Sequence, residues 1–234
     1  MTEAPARAAV GLAWAKAVFA FVAFVLPVAL AGPWLASVDR VKDPDGWVQR
    51  ALAAQLGGCV VLLAFCAFVR PSASWRISGR LVLRAAAAYL CFLVPWMLIV
   101  LGYASLLQAA GKPIEAQPHL MYFTRTHALG SPYLLALLTV CVVQPLAEEA
   151  LSRGHLTDAL TSVLGTRLGD LAGAVLFGLV HTPLQNAPPI VLLGLLFAVL
   201  RRRSGSLAPS ALAHCLHNTA MVLLAGLEPR LLTN

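Results

Sequence analysis

Residues 85–109 read AAAAYLCFLVPWMLIVLGYASLLQA, and this stretch decides the fold class because it carries no charged side chain from end to end. A helix needs about 20 mainly apolar residues to cross the hydrocarbon core of a bilayer. A helix on the surface of a water-soluble protein would instead show a polar face. The stretch therefore predicts a transmembrane helix.

Similar apolar runs recur on both sides of this stretch. The candidate spans lie roughly at residues 8–31, 51–69, 85–109, 131–151, 168–182, 189–200 and 207–227, and the fifth and sixth are short. No stretch between them is large enough for a soluble domain. We therefore predict an all-α polytopic transmembrane helix bundle of about seven spans (six to eight). Residues 1–130 would form N-terminal spans and loops, and residues 131–234 a C-terminal core.

Composition supports a membrane protein. Of the 234 residues, 59% are hydrophobic and 12% are charged, and the mean hydropathy is +0.80. A soluble domain carries about 25% charged residues. The first apolar run is longer than the core of a secretory signal peptide, so we expect it to remain as a span. The five cysteines are scattered without disulfide or metal-ligand spacing, which predicts buried packing residues.

The net charge of +7 comes from short basic clusters between apolar runs, such as Arg201 to Arg203. Such clusters are typical of topology signals, and no aromatic side chains accompany them as they would on a nucleic-acid-binding surface. With seven spans and the N-terminus inside, eleven of the 17 Lys and Arg residues fall on the inner side. We therefore expect a protein of the lipid bilayer with its N-terminus inside and no nucleic-acid partner.

Ionisable side chains in the C-terminal apolar runs indicate a functional site, because each costs about 2.5–3.5 kcal/mol at the centre of a spanning helix. Residues 144–153, QPLAEEALSR, place two adjacent glutamates after a long apolar run. Glu149 and Arg153 are four residues apart and can pair on one helix face. Glu148 then points elsewhere, along the face that carries His155. The alternative is that a span ends here, among the lipid headgroups.

Two later apolar runs carry further polar side chains. Phe177 and His181 share one helix face four residues apart, and so do His214 and Asn218, while His217 points partly away. A lone histidine in an apolar helix is more often a packing residue. Histidine and asparagine together both need hydrogen-bond partners, and hydrogen bonds between helices are the alternative to a site.

The turns between the runs bring these groups to similar depth. With turns near residues 165–169 and 201–206, Glu148 and His181 lie roughly 25 Å and 18 Å from the first turn at 1.5 Å per residue. His214 lies roughly 12 Å beyond the second turn. All three side chains therefore fall inside the membrane, which favours a functional site.

Three motifs in the C-terminal half carry a family resemblance: Glu148-Glu149-x-x-x-Arg153, Phe177-x-x-x-His181 and His214-x-x-x-Asn218. Together they resemble those of the CAAX-protease and bacteriocin-processing family (CPBP, or Abi), which includes the type II CAAX prenyl endopeptidases. The resemblance covers about residues 131–227, with the motifs in order. It implies a glutamate-dependent intramembrane endopeptidase, a hydrolase that needs no metal or other cofactor.

The resemblance also implies catalytic roles for four residues. Glu148 and His181 would activate a water molecule, and His214 and Asn218 would stabilise the oxyanion. The chemistry of these residue types agrees, because carboxylate and imidazole serve as general bases and His and Asn donate hydrogen bonds to a developing oxyanion.

The same resemblance implies supporting roles for three further residues. Glu149 and Arg153 would hold the motif helix in place, and Phe177 would form a wall of the pocket. The additional histidines, His155 and His217, could each take a role assigned above to another residue.

Two alternatives remain at the level of the sequence. A zinc metallopeptidase could use His181, His214 and a glutamate, although no H-E-x-x-H signature is present. A non-catalytic membrane protein, such as a transporter or an immunity or partner protein, is the other. The Ala-, Leu- and Arg-rich composition favours a bacterial inner (cytoplasmic) membrane. The expected partner is a membrane-associated protein or peptide, cleaved within a peptide or at a C-terminal membrane-anchored segment.

Overall fold

The computed structural model describes residues 3–112, 118–125, 130–181 and 184–227. Within these ranges the chain is helical and has no β-strand. The α-helices in chain order are α1 Glu3–Leu30, α2 Gly32–Ala36, α3 Pro44–Phe68, α4 Gly79–Ala109, α5 Pro118–Arg125, α6 Ser131–Leu138, α7 Gln144–Glu149, α8 Thr157–Leu164, α9 Thr166–Leu179, α10 Ala187–Ser204 and α11 Ala208–Leu227. The predicted all-α bundle is confirmed.

Six helical stretches in the described ranges are long and apolar enough to cross a membrane: Arg7–Ala36, Pro44–Phe68, Gly79–Ala109, Pro132–Leu164, Leu184–Ser204 and Ala208–Leu227. They correspond to the predicted spans except the fifth. The fifth corresponds to α9, whose 14 residues extend only about 21 Å at 1.5 Å per residue. Its predicted end at Thr182 lies outside the described residues. The described part of the bundle thus contains six membrane-length helical stretches and two shorter helices outside them, α5 and α9.

The stretch Pro132–Leu164, which we call the glutamate helix, is not a uniform α-helix. Two π-helical segments, Thr139–Val143 and Ala150–Leu156, connect α6, α7 and α8. In each segment the closing backbone hydrogen bond spans five residues instead of four. Such wide turns concentrate at functional sites and change the direction in which the following side chains point.

Local sequence signals set the helix ends. The Asp43 side chain accepts a hydrogen bond from Gly46 N at 2.9 Å and caps α3, and Ser78 caps α4 in the same way. Gly165 follows the end of α8 and Gly205 follows the end of α10, with φ of 74° and 62°. Glycine adopts positive φ without steric cost, so both residues stop a helix and reverse the chain. Both predicted turns are therefore present.

The polarity of the molecule is the reverse of that in a soluble protein. Large apolar side chains cover the outside, among them Phe19, Leu83 and Leu98, which are 64%, 71% and 66% exposed. Three charged side chains of the described residues, Glu149, Arg153 and Asp170, are buried in the interior. This distribution suits a lipid environment, because acyl chains cover the outer apolar surface and the polar groups pair with one another inside.

One end of the bundle, which we call the basic end, joins α8 to the C-terminus of α10 and to the loop that follows α3. Arg201 of α10 forms an ion pair with Asp158 of α8. Arg76, in the loop between α3 and α4, donates a hydrogen bond to the Ser204 carbonyl at 3.3 Å. These contacts hold the connections together on one side of the membrane-spanning bundle.

Candidate active site

Glu149 and Arg153 form a buried ion pair within the glutamate helix. Arg153 Nη1 donates to Glu149 Oε1 at 3.1 Å, and the two side chains are 2% and 0% exposed. The predicted pairing is confirmed. A buried ion pair is tolerated only where the remaining donors are satisfied. Arg153 Nη2 meets this need by donating to the Gly194 carbonyl of α10 at 3.0 Å.

Two phenylalanine rings enclose the Arg153 guanidinium. Its carbon lies 4.2 Å from the ring centroid of Phe177 and 5.3 Å from that of Phe197. Cation–π contacts of this kind stabilise a guanidinium that has lost its water. A Cβ atom on Gly194 would lie 3.2 Å from Arg153 Nη2, so glycine gives the guanidinium its space. Arg153 therefore ties the glutamate helix to α9 and α10.

His214 of α11 lies between the two glutamates. Its Nδ1 lies 3.1 Å from Glu149 Oε1, and its Nε2 lies 3.8 Å from Glu148 Oε2. Because an ionised carboxylate can only accept, Nδ1 carries a proton and donates a hydrogen bond to Glu149. The imidazole also stacks on the Phe197 ring, with centroids 4.8 Å apart and planes 21° apart. Both the position and the tilt of the ring are thus fixed.

Glu148 points away from Glu149, as the 100° step between neighbouring helical residues predicts. Its Oε1 accepts a hydrogen bond from Gln144 Nε2 at 2.7 Å. Its Oε2 is buried without a hydrogen-bond partner in the described part of the chain. That atom lies 4.0 Å from His181 Nε2 and 3.8 Å from His214 Nε2. A buried carboxylate oxygen left unpaired in a native protein calls for a functional explanation.

His181 follows the last turn of α9, on the same face as Phe177. Its Nδ1 lies 2.6 Å from the Phe177 carbonyl oxygen. Because a carbonyl can only accept, Nδ1 carries the proton. In the neutral ring, Nε2 therefore has a free lone pair, and this atom faces Glu148.

Asn218, one turn further along α11 than His214, is held by the glutamate helix. Its Nδ2 donates to the Val140 carbonyl at 2.8 Å. The Gln144 N–H closes the π-helical turn and is not directed to Val140. The next residue, Pro145, has no N–H to offer. The wide turn and the proline together leave the Val140 carbonyl available to Asn218.

The four residues predicted to be catalytic line one cavity of about 80 Å³, together with Phe177. A space of this volume holds several water molecules. Its other polar wall residues are Gln144 and His217, and its apolar wall residues include Leu120 of α5, Ile190, Leu193 and Met221. The predicted convergence of Glu148, His181 and His214 is confirmed. In the described ranges, no three His, Cys, Asp or Glu side chains are arranged to hold a metal ion.

His217 lines the same cavity but is engaged on its far side. Its Nδ1 lies 3.4 Å from Tyr89 OH, and its ring packs edge-on against Trp96 with centroids 4.8 Å apart. Both aromatic residues belong to α4. The histidine thus connects the C-terminal core to a helix of the N-terminal half.

His155 lies outside the cavity. Its Nε2 is 3.5 Å from Cys66 Sγ of α3, and the ring lines a separate pocket. The expectation that His155 shares the face of Glu148 is wrong. The π-helical segment Ala150–Leu156 has more residues per turn than an α-helix, so the later side chains are rotated away from the direction that 3.6 residues per turn predicts.

Two contributors to the site were not predicted. Gln144 could have been found, because it lies four residues before Glu148 and such pairs share a helix face. Phe197, which stacks on His214, could not, because an apolar residue in an apolar run carries no distinguishing signal.

Comparison with known proteins agrees with this site. The family model described as Rce1-like, type II CAAX prenyl endopeptidase, matches residues 130–220. The chain is also 32% identical over 145 residues to an uncharacterized 24.3 kDa protein of Escherichia coli. That alignment covers 57% of this chain and 64% of the relative, so the chain spans less than two thirds of the relative's length. No solved structure gives a significant match.

The matched residues contain every predicted site residue, from Glu148 to Asn218. The resemblance to the CAAX-protease family is therefore confirmed for this part of the chain. The six membrane-length helices indicate an integral membrane protein, and its residues 130–220 are similar to the Rce1-like family of type II CAAX prenyl endopeptidases.

Proposed function

We propose that this chain, whose residues 130–220 match the Rce1-like family model, is an intramembrane endopeptidase that uses a water molecule activated by Glu148 and His181. One observation carries the proposal. The unpaired Oε2 of Glu148 lies 4.0 Å from the His181 nitrogen that bears a lone pair, in a cavity large enough for water.

The separation of these two atoms suits a shared water molecule. A water oxygen about 2.8 Å from each would hydrogen-bond to both, whereas direct contact at 4.0 Å is too long for a hydrogen bond. As the water oxygen attacks the scissile carbonyl carbon, one of its two protons passes to the Glu148–His181 pair, which holds the water between them. The proton then passes to the amide nitrogen as the peptide bond breaks. Positioned proton transfer of this kind contributes roughly 10²–10⁴-fold to a rate.

His214 and Asn218 would stabilise the tetrahedral oxyanion. For Nε2 to donate to the oxyanion while Nδ1 donates to Glu149, the His214 ring would carry a proton on both nitrogens. The ring then donates from both nitrogens, to Glu149 and to the oxyanion. Asn218 keeps a second amide N–H beyond the one bound to Val140. Hydrogen-bond donors that are fixed before the reaction stabilise the oxyanion more than donors that must first reorient.

Glu149, Arg153 and Phe177 would act by positioning. Glu149 holds the ring of His214, and Arg153 anchors Glu149 to α10. Phe177 supplies the carbonyl that sets the proton on His181. We assign no metal or other cofactor to this chemistry.

The substrate we propose is a membrane-associated protein or peptide, cut within a peptide or at a C-terminal anchored segment. Apolar side chains such as Ile190, Leu193 and Met221 form one wall of the cavity and fit an apolar substrate side chain beside the scissile bond. We place the protein in a bacterial inner membrane, where such substrates reach it by lateral diffusion.

The test is cleavage of a membrane-anchored peptide library by the purified protein in detergent, with and without a strong chelator. Glu148→Gln and His181→Ala are the test variants, and Asp39→Asn, an exposed acid near α2, is the charge-matched control. We expect cleavage by the wild type and the control, a loss of at least about 100-fold in both test variants, and no effect of the chelator.

Other outcomes would assign the alternatives. Activity that chelator removes and zinc restores would identify a zinc peptidase. If the purified wild type cleaves no peptide and Glu148→Gln still supports the cellular function of the wild type, a non-catalytic partner or immunity protein would be favoured.

A further inference from the structure

A second pocket, larger than the glutamate cavity, lies at the basic end of the bundle. Its volume is about 480 Å³, and it lies between α1, the loop that follows α3, α8 and the start of α9. It contains none of the residues that we propose to act in peptide cleavage. Its wall includes apolar, cationic, acidic and hydroxyl side chains: Leu12, Lys16, Arg70, Asp158, Ser72 and Thr166.

The wall of this pocket carries uncompensated positive charge. Asp158 is occupied elsewhere, because Arg201 Nη2 donates to its Oδ1 and Ser72 N donates to its Oδ2 at 3.3 Å. Lys16 and Arg70 have no ion-pair or hydrogen-bond partner among the described residues. Two free cations therefore face a space whose one acid is already neutralised.

The N-terminus of α9 adds hydrogen-bond donors to the same wall. Thr166 is the first residue of this 14-residue helix and lines the pocket. Gly165 before it provides no side-chain cap, and the first turn contains no acidic residue. The first N–H groups of an uncapped helix carry partial positive charge and bind anions such as phosphate. The two cations and the N-terminus of α9 thus both favour an anionic ligand such as a phosphate group.

The two cations lie at similar depth. α1 and α3 run antiparallel and touch where Gly58 packs against the Phe24 carbonyl, which a Cβ on Gly58 would approach to 2.4 Å. Lys16 precedes the contact residue Phe24 on α1, and Arg70 follows the contact residue Gly58 after α3. Counted along these antiparallel helices, the depths of Lys16 and Arg70 differ by about four residues, or roughly 6 Å. Arg70 itself follows α3, which ends at Phe68. Basic residues at such a position lie near the lipid phosphates.

An apolar surface continues from the pocket along α1. Leu12 and Val18 are 57% and 56% exposed, and Phe19 is 64% exposed. A ligand that places a phosphate at the two cations and a hydrocarbon chain along α1 would match both the charge of the pocket and the apolar surface beside it. Basic pockets between transmembrane helices are suited to anionic headgroups. We propose that this pocket binds the phosphate of an anionic phospholipid whose acyl chains lie along α1.

Lipid binding by the full-length protein tests the proposal. Native mass spectrometry in detergent would compare phosphatidylglycerol with phosphatidylcholine of the same acyl chains. We expect the wild type to prefer phosphatidylglycerol and Lys16→Gln/Arg70→Gln to lose about tenfold or more of that preference, because two cations near the headgroup are removed.

A matched control separates the pocket from the general charge of this end. Arg80→Gln/Arg203→Gln removes two exposed cations that do not line the pocket. This variant should keep the wild-type preference within about twofold. An equal loss in both double variants would overturn the proposal, because surface charge alone would then explain the binding.

Two further arms complete the test. Thr166→Asp places a carboxylate at the start of α9, where acidic residues stabilise a helix, so lipid preference should fall without a lower thermal midpoint. An unchanged preference in Thr166→Asp would contradict the assigned pocket. Millimolar inorganic phosphate should leave the bound lipid in place. Displacement by inorganic phosphate would assign the pocket to free phosphate and overturn the lipid assignment.

Discussion

The proposed role of His181 depends on one ring nitrogen, and a substitution can remove that atom alone. In His181→Asn the amide group can still donate to the Phe177 carbonyl, which accepts from Nδ1 in the wild type. The variant has no counterpart of Nε2, which faces Glu148. We expect kcat/KM for a cleaved peptide to fall roughly 10²–10⁴-fold while the thermal midpoint stays close to that of the wild type. Activity near the wild-type level would remove His181 from the mechanism.

Substitutions in the ion pair of Glu149 and Arg153 should lower the stability of the fold, unlike His181→Asn, which should lower activity alone. Glu149→Gln leaves the Arg153 guanidinium buried with a neutral partner, and we expect the free energy of unfolding to fall by about 3–5 kcal/mol. Equilibrium unfolding in mixed micelles measures this quantity. Glu149→Gln/Arg153→Met should be more stable than the single variant, because no buried charge remains. A single variant as stable as the wild type would contradict the structural role.

Sequence alone predicts contacts within one helix better than contacts between helices. The spacing of Glu149 and Arg153 was sufficient to predict their pairing, because both lie on one continuous helix. The contact of His214 with Glu149 depends on how far α11 is shifted along the glutamate helix. Residue spacing within either helix does not determine this shift between the helices. The stacking of Phe197 on His214 likewise depends on how the helices are placed relative to one another.

The wide turn before Glu148 is tested by restoring the missing N–H at Pro145. In Pro145→Ala the new N–H can bond to the Val140 carbonyl and compete with Asn218. We expect peptidase activity to fall about tenfold, since one fixed oxyanion donor would be displaced. Stability should be unchanged or higher, because proline is unfavourable within a helix. A loss of activity that merely follows a lower unfolding midpoint would refute this account.

The packing of α9 on α10 is tested at Gly178. A Cβ there would lie 2.5 Å from Val191 Cγ2 and 2.9 Å from the Ala187 carbonyl, so the helices would have to move apart. We expect Gly178→Ala to lower the free energy of unfolding by about 1–3 kcal/mol. Gly102→Ala in α4, where a Cβ meets nothing within 4 Å, is the control and should be neutral or slightly stabilising. Equal stability of the two variants would exclude a tight contact.

At the scale of elements, the turns were predictable and the helix geometry was not. Gly165 and Gly205 mark chain reversals because glycine tolerates positive φ. The π-helical segments have no comparable signature, and Pro145 is only a partial one. This is why the depth of Glu148 and His181 could be predicted from residue counts, while the direction of His155 could not.

At the scale of the whole molecule, the charge bias of the sequence becomes a geometric asymmetry. The connections and helix ends at the basic end contain Arg70, Arg76, Arg80, Arg167 and Arg201 to Arg203. The loop between α2 and α3, at the other end of α1, contains Arg40 and Lys42. Basic residues in short loops are retained on the cytoplasmic side. The start of α1 contributes to the pocket at the basic end, so we expect the N-terminus to lie on that same side.

Single cysteines at the two ends test this orientation. Val41, between α2 and α3, is 90% exposed, and Ile77, at the basic end, is 74% exposed, so Val41→Cys and Ile77→Cys both present an accessible thiol. With the basic end inside, a membrane-impermeant maleimide added to intact cells should label Val41→Cys and should reach Ile77→Cys only after lysis. The wild type is the control, because Cys91, its exposed cysteine in the described ranges, lies within α4 and faces the acyl chains. Labelling of Ile77→Cys before lysis, with Val41→Cys protected, would establish the opposite orientation. The basic end would then lie outside despite its excess of Arg residues, and the positive-inside bias would fail for this protein.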